Sequence, residues 1–107
     1  MKKYYLVLIK QFFIEYGSGE QELINELSLN INHYHLPTKE MILVLKSGII
    51  FEINRIFQWE DDISISLYSN QVFNHWEKDD LHKEVEKYCE KGWSLRKIEK
   101  VKVNRRK

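Results

Sequence analysis

The sequence predicts a single α+β domain spanning residues 1–107, with a mostly antiparallel sheet of about five strands, one C-terminal helix and a last strand. Apolar residues alternate with polar ones through most of the chain, which is the two-residue period of β-strands. One segment near the C-terminus has the apolar period of an amphipathic helix. With 43% hydrophobic residues and a formal net charge of +1, the 107 residues can bury one core.

The N-terminal segment predicts the central strand of the sheet. Between residues 3 and 16, apolar side chains occupy both alternating faces, as expected for a strand covered on both sides. Gly17-Ser18-Gly19 ends this strand. Residues 20–26 then predict a short helix, because their apolar side chains have helical spacing and Ser18 can cap them.

The middle of the chain predicts half-exposed strands in an antiparallel meander. Strict alternation runs from residue 27 to residue 35. Residues 41–46 and 49–59 flank Ser47-Gly48, a pair typical of a β-hairpin turn. The acidic residues 60–62 predict a further turn. Residues 63–68 alternate again and predict a strand closed by Ser69-Asn70, followed by a segment with helical spacing up to Trp76.

The C-terminal helix is the clearest element of the pattern. Asp79 or Asp80 can cap it, and Gly92 can end it. Its apolar face comprises Leu81, Val85, Tyr88 and Cys89. We expect Cys89 to lie in the core, where burial keeps a thiol unreactive. A last strand with a basic outer face follows, and residues 104–107 are expected to form a basic tail.

The run from Leu81 to Ile98 contains a helix that ends at Gly92-Trp93 and a strand entered through Leu95. It resembles the closing element of small bacterial and phage β-α-β domains. The resemblance covers less than a fifth of the chain. It implies ferredoxin-like packing of the helix on the sheet, and no particular chemistry.

Composition indicates the compartment and the origin. The single cysteine excludes an intramolecular disulfide and favours a reducing environment. The apolar run after Lys3 is interrupted at Lys10, too early for a secretory signal or a membrane span. We therefore expect a cytoplasmic protein. The absence of alanine and the preference for lysine over arginine suggest an AT-rich bacterial or phage genome.

Charge is segregated along the chain. Residues 1–59 are neutral, residues 60–90 carry a net charge of −6, and residues 91–107 carry +7. The leading interpretation is a non-enzymatic interaction or inhibitory module of bacterial or phage origin, acting by surface complementarity. Its acidic face would occupy a basic groove on a protein partner, as an anti-CRISPR-like inhibitor of a host nucleic-acid-processing protein would. The predicted partner-binding residues are Asp61, Asp62, Asp79, Asp80, Glu84 and Glu86.

The alternative interpretation is a small nucleic-acid-binding protein that uses the basic last strand. Exposed aromatic residues such as Tyr34 or Trp59 would stack on single-stranded bases. The predicted phosphate-binding residues are Arg96, Lys100, Lys102 and Arg106. The acidic block argues against this function unless it lies on another face.

Enzymatic chemistry is not indicated. His33 and His35 share a strand face, but a metal needs a third ligand. His75, Asp79, His82 and Glu86 would share a stripe only if the helix began near residue 71. No phosphate-binding loop, nucleophile motif or paired-cysteine motif is present. We expect no catalytic residue, no cofactor and no metal. The aromatic content is compatible with a homodimer.

Overall fold

The computed structural model describes residues 3–33, 35–58 and 64–96. Within these ranges, seven strands, one 3₁₀ turn and one helix follow one another in chain order. They are β1 (Tyr4–Glu15), β2 (Gln21–His33), β3 (Ile42–Val44), β4 (Ile50–Glu52), β5 (Arg55–Gln58), β6 (Ser64–Asn74), the 3₁₀ turn (His75–Glu77), α1 (Lys78–Glu90) and β7 (Ser94–Arg96).

The main sheet has five strands in the order β5-β6-β1-β2-β7. β1 pairs antiparallel with β2 and parallel with β6, and the two outer pairings are antiparallel. β3 and β4 form a separate two-stranded ribbon. The predicted α+β class, with a mostly antiparallel sheet, a C-terminal helix and a last strand, is confirmed.

One face of the main sheet, here called the covered face, packs against α1 and the ribbon. Its core contains Leu6, Leu8, Phe12 and Ile14 from β1, together with residues of α1, β6 and the ribbon. Aromatic rings join the three layers. The Phe12 ring lies 5.5 Å from that of Tyr88, Tyr88 lies 5.0 Å from Trp93, and Trp93 lies 5.8 Å from Phe51 of the ribbon. Folding therefore depends on this face.

The end of α1 fixes how the chain returns to the sheet. The Trp93 backbone N–H donates to the Tyr88 carbonyl and the Gly92 N–H donates to the Cys89 carbonyl, both at 3.1 Å. This is the Schellman pattern, which needs a residue with positive φ, and Gly92 has φ +94°. The Tyr88 and Trp93 rings supply the apolar contact that accompanies it. The predicted role of Gly92 is confirmed.

Lys10 is a charged residue inside the covered face. Its side chain is buried, and its Nζ lies 3.4 Å from Ser69 Oγ and 5.7 Å from the centroids of the Phe12 and Tyr88 rings. Burial lowers the pKa of this ammonium group, and the Glu84 and Glu52 carboxylates partly oppose that shift. Lys10 is not among the residues that line the four main grooves of the described part of the chain. We therefore interpret it as structural.

The predicted helix over residues 20–26 is wrong, because this segment is the start of β2. A register shift at Phe12/Phe13 leaves Ile24 without a partner between Leu23 and Asn25. The extra residue, Ile24, forms a β-bulge and directly follows the apolar Leu23 in the chain. That adjacency imitates helical spacing. Ser18 accepts a hydrogen bond from the Glu20 N–H within the hairpin turn instead of capping a helix.

The predicted meander is confirmed only in part, because β5 and β6 pair antiparallel but the hairpin before them lies outside the main sheet. The Ser47-Gly48 hairpin is confirmed, but its strands leave the main sheet as the ribbon, and residues 49–59 divide into β4 and β5. β6 then enters on the other side of β1 and runs parallel to it. It continues through Ser69-Asn70 to Asn74, so the predicted strand end is wrong. The segment after it, which the sequence left ambiguous, is therefore mostly strand. The predicted turn at residues 60–62 lies outside the described residues.

Two further predictions need correction on α1 and β1. Helix α1 begins at Lys78, so Asp79 and Asp80 lie in its first turn instead of capping it. Cys89 is exposed, because it lies at the margin of the helix face whose centre is Leu81 and Tyr88. β1 is the central strand, as predicted, but the described elements cover only one of its faces.

Candidate functional site

The other face of the main sheet, here called the open face, points away from α1 and the ribbon. Strand register assigns its members, because residues paired across strands project to the same side. They are Tyr5, Val7, Ile9, Gln11, Phe13, Glu15, Gln21, Leu23, Glu26, Ser28, Asn30, Asn32, Arg55, Phe57, Ser64, Ser66, Tyr68, Asn70, Val72, Asn74, Ser94 and Arg96. None of them belongs to the core cluster that joins the sheet to α1 and the ribbon.

The open face has an unusual composition for this chain. Lysine, the most frequent cation in the sequence, stands at none of these strand positions, whereas both arginines of the described residues do. The remaining side chains are mainly tyrosine, phenylalanine, serine and asparagine. Protein-binding surfaces in general are enriched in aromatic residues and arginine and depleted in lysine. Serine and asparagine are frequent beside tyrosine in antibody-like binding surfaces, where they supply adaptable hydrogen bonds. The composition is therefore typical of a protein-binding surface.

Three large apolar or aromatic side chains on the open face are exposed to solvent. Tyr5, Phe57 and Val72 are 47%, 45% and 46% exposed. Ile9 is buried on the same face, although it lies outside the core cluster that joins the three layers. The open face thus keeps large apolar groups at its surface without burying them in the core.

A groove of about 550 Å³ crosses the centre of the open face. Val7 and Ile9 contribute apolar side chains to its lining, Ser28 and Ser66 contribute hydroxyl groups, and the remaining lining residues are Phe57, Tyr68 and Arg96. A mixed lining of this kind accepts an apolar side chain and offers it polar neighbours.

The two arginines of the open face have different surroundings. Arg96 lies 3.4 Å from the Glu26 carboxylate, which also accepts a 2.7 Å hydrogen bond from Gln11. The guanidinium carbon of Arg55 lies 5.0 Å from the centroid of the Phe57 ring and 4.7 Å from that of Tyr68. These two rings meet edge to face at 5.5 Å. Arg55 is therefore held by cation–π contacts.

The predicted acidic face is only partly described, because Asp61 and Asp62 lie outside the described residues. Asp79, Asp80 and Glu86 are exposed on α1, and Glu84 is half-buried. Three lysines stand among the five carboxylates of this helix, and Lys87 lies 3.9 Å from Glu84. The helix surface is therefore of mixed charge. Its role in binding remains a prediction.

The predicted basic strand is described only at its start. Arg96 lies on the open face and pairs with Glu26. Lys100, Lys102, Arg106 and the predicted basic tail at residues 104–107 lie outside the described residues, as do Tyr34 and Trp59. The predicted grouping of Arg96 with the other phosphate-binding residues therefore stays a prediction.

The histidines lie in small local arrangements. His33 Nδ1 accepts a 3.0 Å hydrogen bond from the His35 backbone N–H, which closes the end of β2. The His75 ring lies in the 3₁₀ turn, stacked on Tyr16 and edge-on to Trp76. Within residues 3–33, 35–58 and 64–96, no three histidine, cysteine or acidic side chains are placed to hold a metal.

A second exposed apolar patch lies on the outer side of the ribbon. It consists of Ile42, Val44 and Ile50, with Val44 paired to Ile50. Each ribbon strand has three residues, so this patch is much smaller than the open face.

The chain was compared with known proteins by family model, by curated sequence and by solved structure, and no family, protein or structure matched. The described residues contain no helix with the length and apolar content needed to cross a bilayer. The fold and the surface therefore define the class of this protein, an α+β domain whose sheet has one covered and one open face.

The open face could not be predicted from the sequence. A signal was present, since Ser64, Ser66 and Tyr68 form the polar side of their strand and Asn30 and Asn32 the polar side of theirs. To see that these polar sides belong to one face, one must know the order of the strands in the sheet. That order depends on the parallel pairing of β1 with β6, which the alternation alone does not reveal.

Proposed function

We propose that this protein is a non-enzymatic interaction module that binds another protein through the open face. The observation that carries the proposal is the composition of that face, with arginine and exposed aromatic residues but no lysine at its strand positions. Tyrosine and arginine contribute more binding energy at interfaces than most residues do.

The size of the open face supports the proposal. Strands rise about 3.3 Å per residue and lie about 4.8 Å apart, so the five strands present roughly 700 Å². A stable protein interface of standard size buries roughly 800 Å² on each partner. The open face can therefore supply most of such an interface.

Charge on the open face favours a protein partner over nucleic acid. The two arginines are accompanied by Glu15 and Glu26, and one of the arginines is already paired with Glu26. Nucleic-acid surfaces need several cations that follow the phosphate backbone. The basic-strand alternative therefore has less support from the described residues. We further propose a cytoplasmic, inhibitory role in a bacterium or phage, supported by composition alone.

The test compares two surfaces of the full-length chain. One variant carries Tyr5→Ser, Phe57→Ser and Val72→Ser on the open face. The matched variant carries Asp79→Lys, Asp80→Lys, Glu84→Lys and Glu86→Lys on α1. A partner recovered from the native host is identified, expressed and titrated against each variant by calorimetry, after circular dichroism has shown that both variants are folded.

We expect the open-face variant to lose at least about 100-fold in affinity, because truncation of three interface anchors costs more than about 1 kcal/mol each. The helix variant should stay within about threefold of the parent protein. The reverse result would reject the open face and favour the acidic helix as the binding surface.

A further inference from the structure

The two arginines of the open face differ in whether the described residues supply them with a carboxylate. Arg96 has Glu26 at 3.4 Å. In the part of the chain that the structure describes, no carboxylate forms an ion pair with Arg55. A guanidinium group has five N–H donors and no acceptor, and Arg55 is exposed, so it can donate hydrogen bonds to water or to a ligand.

The position of Arg55 is fixed in advance of binding. Its guanidinium group contacts the Phe57 and Tyr68 rings, and its backbone belongs to β5, which pairs with β6. A side chain held in this way loses less conformational freedom when it binds a ligand. Arginine held against aromatic rings is suited to two parallel hydrogen bonds with a carboxylate.

The groove of the open face lies beside this arginine. Phe57 and Tyr68 contact Arg55 and also line the groove, where Val7 and Ile9 provide apolar surface. A ligand that reaches Arg55 with an anionic group can therefore place a neighbouring apolar group in the groove. The two sites share the same pair of rings.

We infer that Arg55 binds a carboxylate of the protein partner, an aspartate or glutamate that neighbours an apolar side chain seated in the groove. This inference rests on the proposed function and names the chemistry of its partner. A phosphate could also bind an arginine, but the apolar lining of the groove and the glutamates on the open face favour a carboxylate next to an apolar group.

The experiment uses a displayed library of short random peptides, selected on the immobilised full-length protein. Peptides that bind are synthesised and titrated by fluorescence polarisation. The protein variants are Arg55→Met, Arg55→Lys and, as a matched control that removes one positive charge from the exposed surface of α1, Lys83→Met. Each peptide is also made with every aspartate replaced by asparagine and every glutamate by glutamine.

We expect the selected peptides to contain an aspartate or glutamate beside an apolar residue. Arg55→Met should weaken their binding about 10- to 100-fold, because a hydrogen bond to a charged group is lost. The amide peptides should show a similar loss on the parent protein and no further loss on Arg55→Met. Arg55→Lys should recover only part of the affinity, and Lys83→Met should change it by less than about threefold.

Several results would overturn the inference. The selection could yield only peptides without carboxylates, or none whose affinity depends on Arg55. A mixed-sequence single-stranded DNA oligonucleotide could instead bind in an Arg55-dependent manner that weakens steeply with salt, which would assign the site to phosphate. If the peptides lose affinity on the open-face triple variant but not on Arg55→Met, only this inference fails. If they bind the triple variant normally, the proposed function fails as well.

Discussion

The two faces of the main sheet are built from alternate residues of the same strands, yet they differ in what their side chains contact. On the covered face, Leu6, Leu8 and Phe12 are completely buried against α1 and the ribbon. On the open face, Tyr5 and Phe57 are nearly half exposed, and Arg55 contacts rings instead of carboxylates. Apolar residues on both sides of a strand therefore need not be buried on both sides. One face forms the core, and the other can be retained for binding.

The largest expected effect is the difference in unfolding free energy between truncations of two neighbouring residues of β1. Phe12→Ala should cost about 3–5 kcal/mol of unfolding free energy, because it leaves a cavity between Phe73 and Tyr88. Phe13→Ala, one residue along and on the open face, should cost only about 1 kcal/mol. Urea unfolding of both variants measures the difference. Equal losses would show that the two faces contribute equally to folding.

A smaller effect is expected at the end of the helix that covers one face. Gly92→Ala should cost about 1–2 kcal/mol, because alanine is strained at φ +94°. Gly17→Ala is the matched control, since Gly17 lacks a positive φ and has open space around its Cα. It should stay within about 0.5 kcal/mol of the parent in the same denaturation experiment. A Gly92→Ala variant as stable as the control would contradict the Schellman assignment.

Alkaline pH should weaken the covered face through Tyr88. Burial, with a contribution from the Glu84 carboxylate, raises the pKa of Tyr88 to about 12 from the ordinary value of 10.0. Between these values the unfolded chain ionises this tyrosine while the folded chain keeps its proton. Unfolding free energy should therefore fall as pH rises from about 10 to about 12. The Tyr88→Phe variant should not show this part of the decline in unfolding free energy. Parallel profiles of unfolding free energy against pH for the two proteins would contradict the assignment of the decline to Tyr88.

The smallest effect is expected at Lys10, the charged residue of the covered face. Because burial lowers its pKa below 10.5, the charged form destabilises the fold, and this cost declines as pH rises toward 10.5. Lys10→Met should therefore leave stability unchanged or raise it by about 1 kcal/mol near neutral pH, as replacement of buried charges by apolar groups often does. Its advantage should shrink as the pH approaches 10. A loss of more than about 2 kcal/mol would instead show that Glu84 and Glu52 make Lys10 a net stabiliser.

The elements that depend on local signals could be predicted from the sequence. Gly92 and the Ser47-Gly48 turn follow from backbone geometry, and the helix follows from its apolar period. Elements that depend on distant partners could not. The β-bulge at Ile24 led to an incorrect helix prediction. The crossing of β6 to the far side of β1 has no local signature in the sequence.

The candidate site was predictable only in its parts. The sequence indicated that the polar sides of their strands contain Asn30, Asn32, Ser64, Ser66 and Tyr68. It did not indicate that these sides join into one face, nor that Arg55 contacts Tyr68 from the neighbouring strand. Both facts arise from strand order and register, which are tertiary properties.

Site-specific photo-crosslinking tests the central claim most directly. A benzophenone amino acid is placed at Phe57 on the open face and, in a second protein, at Glu86 on α1, both exposed positions. After illumination in the native host, the account predicts that the Phe57 position captures one defined partner protein and the Glu86 position does not. Capture of the same partner from Glu86 alone would contradict the account and assign binding to the acidic helix.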